Sequence, residues 1–313
     1  MKHLSGTPNE YLSVIQYGCD PSYSLQGHDN VTFTCEAGAQ WKSNTANVQT
    51  PFCTPVCGQL DPRVQNEDNG IPKGGFPWQA FLVVQGRPHE SATVIGDRWL
   101  LTAAHVALEF GSVKDEMRIV VGAIDLSGSS FNFVDAASFH VHPDFRYDLH
   151  RELNVSHNIA LIKLREPLTF NETVRPLCLP TVETLHNHGT VGKVVNLDLL
   201  VHLSQSNPQD QLDIDWTALD DNTCHMLREE LILGLDRNVP PLPNGMFCVQ
   251  HPARSLPMCD GLSGTPFTVK YNGSHWAAGI VSWSFRCSHD TVRYFTKVLN
   301  YIDWIRDTMQ KNS

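Results

Sequence analysis

The stretch Pro257-Met258-Cys259-Asp260-Gly261-Leu262-Ser263-Gly264-Thr265-Pro266-Phe267 decides how the rest of the chain is read. It holds a serine followed directly by Gly264, two positions after Gly261 and four after Cys259. A serine hydroxyl is a weak nucleophile at neutral pH. To react it needs a base within hydrogen-bond reach and a third group that orients that base. Working outward from Ser263 is therefore a search for these two partners.

The bulk composition sets the bounds of that search. A chain of 313 residues holds one large or two ordinary domains, and 41% apolar with 18% charged residues is enough for a sizeable core. A formal net charge of −10, with no basic cluster, argues against nucleic acid as a partner. No 18-residue apolar run is present, so no membrane span is expected. Nine cysteines without paired zinc-ribbon spacing point to disulfides and an oxidising compartment. The sequons at Asn30, Asn154, Asn171 and Asn272 fit a secreted, extracellular protein. The start Met1-Lys-His-Leu-Ser-Gly6 has no apolar core, so no signal peptide is read and a missing upstream part is expected. No cofactor is expected.

Along the chain, 54–73 is rich in turn formers and reads as a linker. From Gly74 onward short apolar runs alternate with Gly, Pro, Asn and Asp. Examples are Ala80–Val84, Trp99–Thr102, Ile159–Leu164, Trp276–Trp283 and Tyr294–Val298. Many short strands at this spacing predict an all-β sandwich or barrel pair. The end differs: Val298, Ile302, Ile305 and Met309 repeat at four, three and four, which is one apolar face of a helix.

Several segments resemble the chymotrypsin-like serine proteases. Besides the Ser263 loop, Phe76-Pro-Trp-Gln79 is similar to the family's first strand, and Gly96-Asp-Arg-Trp-Leu-Leu-Thr-Ala-Ala-His105 to its histidine motif. Asn158-Ile-Ala-Leu-Ile-Lys-Leu164 resembles its aspartate motif, Arg175-Pro-Leu-Cys-Leu-Pro180 its inter-barrel strand, and Gly279-Ile-Val-Ser-Trp283 its substrate-lining strand. The resemblance covers 74–313 and implies two Greek-key, six-stranded β-barrels closed by a C-terminal helix. Upstream, Cys19, Val31-Thr-Phe-Thr-Cys35, Trp41 and Pro51-Phe-Cys53 resemble the later half of a complement-control (sushi) module, so 1–53 reads as a partial module. That module, Val106 after the histidine, and the ending Tyr294-Phe-Thr-Lys-Val-Leu-Asn-Tyr-Ile-Asp-Trp-Ile305 look like the complement-initiating proteases. The resemblance implies the pairs Cys19–Cys53, Cys57–Cys178, Cys224–Cys248 and Cys259–Cys287, with Cys35 left without its partner.

By the same resemblance His105 is the base, Ser263 the nucleophile, and Asn158 stands where the orienting Asp belongs. An amide that donates to the imidazole would favour the wrong tautomer, and it cannot balance an imidazolium. In the serine-protease template that change costs about 10⁴ in turnover. A bystander acid, Asp144, Asp148 or Glu152, is the alternative source of charge. The oxyanion hole would come from the N–H groups of Gly261 and Ser263. In the family it forms when a newly cut N-terminus pairs with an acid before the serine, and here that residue is Leu262. Arg63-Val64 survives as a scissile bond, followed by Gln65-Asn66 in place of two glycines. In the specificity pocket Pro257 replaces Asp, Ser284 and Arg293 replace glycines, and Ser282 and Trp283 complete the wall.

Three functions compete. The favoured one is a catalytically impaired protease fold that binds other proteins, complement-type proteases or their complexes among them. The second is a secreted serine endopeptidase of the complement type. The third is a metal-binding protein resting on His140-Val-His142 and His186-Asn-His188. Paired loop histidines are ordinarily just solvated, so no metal is assigned and zinc calorimetry is expected to show no tight binding.

Overall fold

The computed structural model describes residues 2–5, 10–16, 23–26, 31–38, 40–44, 52–61, 75–122, 132–146, 156–195, 215–232, 242–251, 263–283 and 292–312. They fall into two compact units, Met1–Val56 and Cys57–Ser313.

In the first unit, β1 (Lys2–Ser5), β2 (Val14–Gln16), β4 (Thr32–Glu36) and β5 (Gln40–Ser43) form one antiparallel sheet in that order, while β3 (Tyr23–Gln26) pairs with β6 (Phe52–Pro55). Strand β4 turns Phe33 and Cys35 inward and ends on exposed Glu36, the period of two that a one-sided sheet requires. Ile15, Val31 and Phe33 make a small core, with Trp41 packed on it. Cys35 is buried and free. The expected Cys19–Cys53 pair lies outside the described residues.

The second unit begins with β7 (Gln79–Val84), β8 (Arg87–Val94), β9 (Trp99–Thr102) and α1 (Ala104–Gly111). Strands β10 (Met117–Val121), β11 (Asn132–Val134), β12 (Ala136–Val141) and β13 (Ala160–Leu164) follow. The seven strands form one antiparallel sheet, ordered β11-β10-β7-β8-β9-β13-β12. Its two edges, β11 and β12, are separated in the chain by Asp135 alone, so the sheet must curl until its edges meet at that corner. The described residues show seven strands here because β11 and β12 lie on either side of Asp135, in keeping with the expected two-barrel fold. The second half closes fully. Strands β14 (Val191–Lys193), β15 (Asp215–Ala218), β16 (Met246–Gln250), β17 (Pro266–Tyr271), β18 (Ser274–Trp283) and β19 (Val292–Lys297) close in the order β14-β15-β16-β19-β18-β17, with helix α2 (Asp221–Ile232) inserted after β15. Phe247, Phe267, Phe295 and Trp216 are fully buried in this barrel's core. Closure removes the exposed strand edges that invite mispairing.

Helix α3 (Ile302–Lys311) ends the chain as its apolar spacing predicts. Ile302 and Ile305 join Trp99, Leu101, Ile159, Leu161 and Ile280, so one cluster ties strands of both halves to the helix. Each fully buried aliphatic side chain there contributes about 1.5–3 kcal/mol. Val298, predicted on the same face, sits in a 3₁₀ turn just before the helix.

The part of the expected linker from Cys57 to Asp61 is packed against this unit. Cys57 is disulfide-bonded to Cys178, a closure across 121 positions. Gly58 has φ +65°, and a Cβ there would lie 2.3 Å from the His275 carbonyl, so only glycine fits. Asp61 and Arg175, each 4% exposed, form an ion pair at 2.9 Å. The rest of the linker, with Arg63-Val64, lies outside the described residues.

Candidate active site

Three chain segments converge where the two halves meet. The β9–β13 register pairs Thr102 with Ala160, which sets His105 at the start of α1 beside Asn158 just before β13. Three buried threonine hydroxyls fasten the segments to one another. Thr102 donates to Ser91 O (2.8 Å), Thr93 to Gly264 O (3.2 Å) and Thr296 to Asn158 O (3.1 Å). Gly264 has φ +88°, and a Cβ there would sit 2.3 Å from Ser91 O and 2.4 Å from Thr102 Oγ1. The glycine after the serine is therefore a packing requirement as well as a conformational one.

Asn158 is 3% exposed and every polar atom of its side chain is used. Its Oδ1 accepts from the His105 backbone N–H at 3.2 Å and faces His105 Nδ1 at 3.1 Å. Its Nδ2 donates to Ser282 O at 3.2 Å and to Ser282 Oγ at 2.8 Å. A backbone N–H can only donate and a backbone carbonyl can only accept, so these two partners fix which end of the amide is oxygen. The oxygen facing Nδ1 makes Nδ1 the protonated nitrogen and leaves Nε2 with its lone pair. This reverses the expectation of the wrong tautomer: the amide holds the ring as a base should be held. What it lacks is charge. Burial lowers the His105 pKa below its ordinary 6.5, opposed by the Asn158 hydrogen bond and then by exposed Glu109 one helical turn on.

At the other corner the Ser263 backbone is in place. Its carbonyl accepts from Ser91 N at 3.1 Å, and Gly264 N donates to Val281 O at 3.0 Å. Its N–H, one of the two donors expected to receive an oxyanion, instead donates to Glu90 Oε2 at 3.0 Å. Glu90 is on β8, opposite Leu82 of β7. Sequence reasoning missed it, because nothing local marks one glutamate in a strand as the partner of a loop 173 positions away. Among the described residues no hydrogen bond joins His105 to Ser263.

Of the residues expected to line a specificity pocket, Ser282 is 1% exposed and bound to Asn158. Arg293 is 1% exposed on β19, opposite Val249, and donates through Nη1 to Val292 O at 3.0 Å. Of Trp283 the backbone alone is described, paired with Tyr294. Pro257, Gly261, Leu262, Ser284 and the Cys259–Cys287 pair lie outside the described residues, as do Asp148 and Glu152. The Cys224–Cys248 disulfide is formed. Asp144, considered as a substitute acid, lies instead beside His142 and His157. Asn171 and Asn272 are exposed turn residues, whereas Asn30 and Asn154 are outside the described residues.

With this geometry in place, comparison with known proteins decides the family. The trypsin model matches residues 67–305, and a sushi repeat (SCR repeat) model matches residues 2–53. The chain belongs to the trypsin family. Its relatives include the complement C1r-A subcomponent of Mus musculus, 31% identical over 96% of this chain and 43% of that protein. The complement C1r subcomponent-like protein of Homo sapiens is 30% identical over 96% of this chain and 62% of that one. The complement C1s subcomponent of Sus scrofa is 28% identical over 96% and 44%. The chain thus spans about half the length of the curated relatives it matches. Among its described residues no helix is long and apolar enough to cross a membrane.

Proposed function

We propose that this trypsin-family chain is catalytically impaired and acts by binding other proteins, complement-type proteases or their complexes among them, outside the cell. The observation that carries this reading is the Glu90 carboxylate on the Ser263 N–H. A tetrahedral oxyanion would have to displace a group that is already anionic, in a place where the family needs a donor left open. Asn158 adds to it, since a neutral amide orients His105 without stabilising the imidazolium that forms during attack. Arg293, buried along the pocket strand, supports the loss of a site for a basic side chain. On this reading 1–53 is a partial sushi module, 54–73 a linker with a degraded activation site, and 74–313 the protease-like domain. Exposed Asn171 uses its Oδ1 to accept from Thr173 and Val174, which leaves Nδ2 to carry a glycan. Asn272 at a hairpin tip is equally open.

A second reading, a secreted complement-type endopeptidase using His105 and Ser263, is favoured by the base-competent tautomer. Fluorophosphonate labelling of the full chain, before and after trypsin nicking, separates the two by intact mass. The expected outcome is no adduct on Ser263. Rapid stoichiometric labelling would establish the second reading in place of the first. Surface plasmon resonance against the relatives' protease domains is expected to give saturable binding, and its absence removes the regulatory half.

A further inference from the structure

The histidine pairs that the sequence offers as metal ligands are not the grouping the fold makes. His140 leaves its neighbour: its Nε2 is 2.9 Å from Ser138 Oγ and its ring tilts against Trp99. His142, just past the end of β12, meets His157, which directly precedes Asn158. The two imidazoles lie nearly parallel, 9° apart with centroids at 5.0 Å. Asp144 completes the set. One ligand atom from each of His142, Asp144 and His157 lies within 4.8 Å of the other two.

We infer that His142, Asp144 and His157 form a zinc-binding site with three protein ligands and one open position. Two imidazoles and one carboxylate are a donor set that zinc takes, whereas calcium and magnesium call for oxygen ligands throughout. Bonds of about 2.0–2.1 Å to a tetrahedral ion put donors roughly 3.3 Å apart. The set therefore has to contract by about 1.5 Å, through turning of the rings and of the carboxylate. Asp144 is 67% exposed and free to make that move.

The surroundings hold the two rings in place, and the Asp144 backbone N–H donates to His142 Nδ1 at 3.3 Å. Tyr301 Oη is 3.3 Å from His157 Nδ1, the kind of outer partner that fixes a ligating ring's tautomer and orientation. Trp304 tilts over the His142 ring with centroids at 5.0 Å, and Tyr301 meets it edge-on at 5.2 Å, giving the pair an apolar wall. His157 holds φ +57°, a left-handed conformation that side-chain-bearing residues seldom adopt. A cavity of about 300 Å³, lined by Ser156, His157, Asn244, Asn300 and Tyr301 among others, adjoins the cluster.

The test uses the whole chain, stripped with chelator and then titrated with zinc chloride or cobalt(II) chloride. One equivalent of cobalt is expected to give the intense visible bands of a four-coordinate site, displaced by one equivalent of zinc. Zinc is also expected to raise Tm by several degrees, in a concentration-dependent way, because it binds the folded state. Asp144→Asn, an exposed change that leaves packing intact, should weaken zinc binding about 10- to 100-fold, and His157→Asn should abolish the cobalt bands. His157→Asn is chosen because asparagine tolerates a left-handed backbone. His140→Asn and His186→Asn should leave both readouts unchanged. Weak, multi-equivalent binding, or binding insensitive to Asp144 and His157, would overturn the inference.

Discussion

The two corners of the candidate site are held with equal care and differ in chemistry. At the His105 corner every polar atom of Asn158 has a partner of the right kind, and the imidazole is presented as a base. At the Ser263 corner the backbone is seated just as firmly, yet a carboxylate occupies the N–H that, on the proposed reading, would receive an oxyanion. The contrast separates two properties that a working protease carries together. Positioning depends on backbone register, threonine clamps and a glycine, and all of these are present. Charge depends on single side chains, and these have changed without disturbing the frame.

The strongest test of the frame is Gly264→Ala. A left-handed backbone and a contact 2.3 Å from Ser91 O are expected to cost about 3 kcal/mol, read by urea unfolding. A near-neutral result would mean that the Ser263 turn is held far less rigidly than the His105 corner. Next comes the charge. Asn158→Asp together with Glu90→Ala puts a carboxylate behind His105 and clears the Ser263 N–H. Phosphonylation of Ser263, absent from the parent chain, is expected to appear at about 10²-fold above the background rate. Arg-ester hydrolysis should stay absent if, as proposed, Arg293 fills the place of a basic substrate side chain. Ester turnover in that variant would show the pocket to be open.

The smallest effect concerns acid. Burial pushes His105, His140, His142, His186 and His275 below 6.5. The unfolded chain then binds more protons than the folded one as pH falls through 6.5, so stability is full above that value and declines below it. Urea midpoints should drop steadily between about pH 6.5 and 5. A flat profile would mean that the His105 corner is more open to solvent than its packing implies.

Much of this molecule could be read without coordinates, and what could not has a common cause. Short apolar runs and an i, i+3, i+4 ending are local patterns, and they became strands and a C-terminal helix that begins one turn after Val298. The orientation of the Asn158 amide is not local. It depends on which of Ser282 O and His105 N faces which atom: the β9–β13 register brings His105 to Asn158, and Ser282 comes from β18 of the other half. Glu90 reaches Ser263 across 173 positions, and His142 finds His157 through the turn at Pro143 and the backbone before Asn158. The corner at Asp135 that curls a seven-stranded sheet was equally hidden, since strand count depends on where one strand is cut in two.

One last consequence follows from the Cys57–Cys178 bridge. Every peptide bond between 62 and 74 lies downstream of a covalent tie to the barrel. Proteolysis there would divide the polypeptide without dividing the molecule, leaving two chains that migrate as one until a reductant is added. The upstream module would remain a permanent passenger, and any signal carried by such a cut would have to be a change of shape and not a departure.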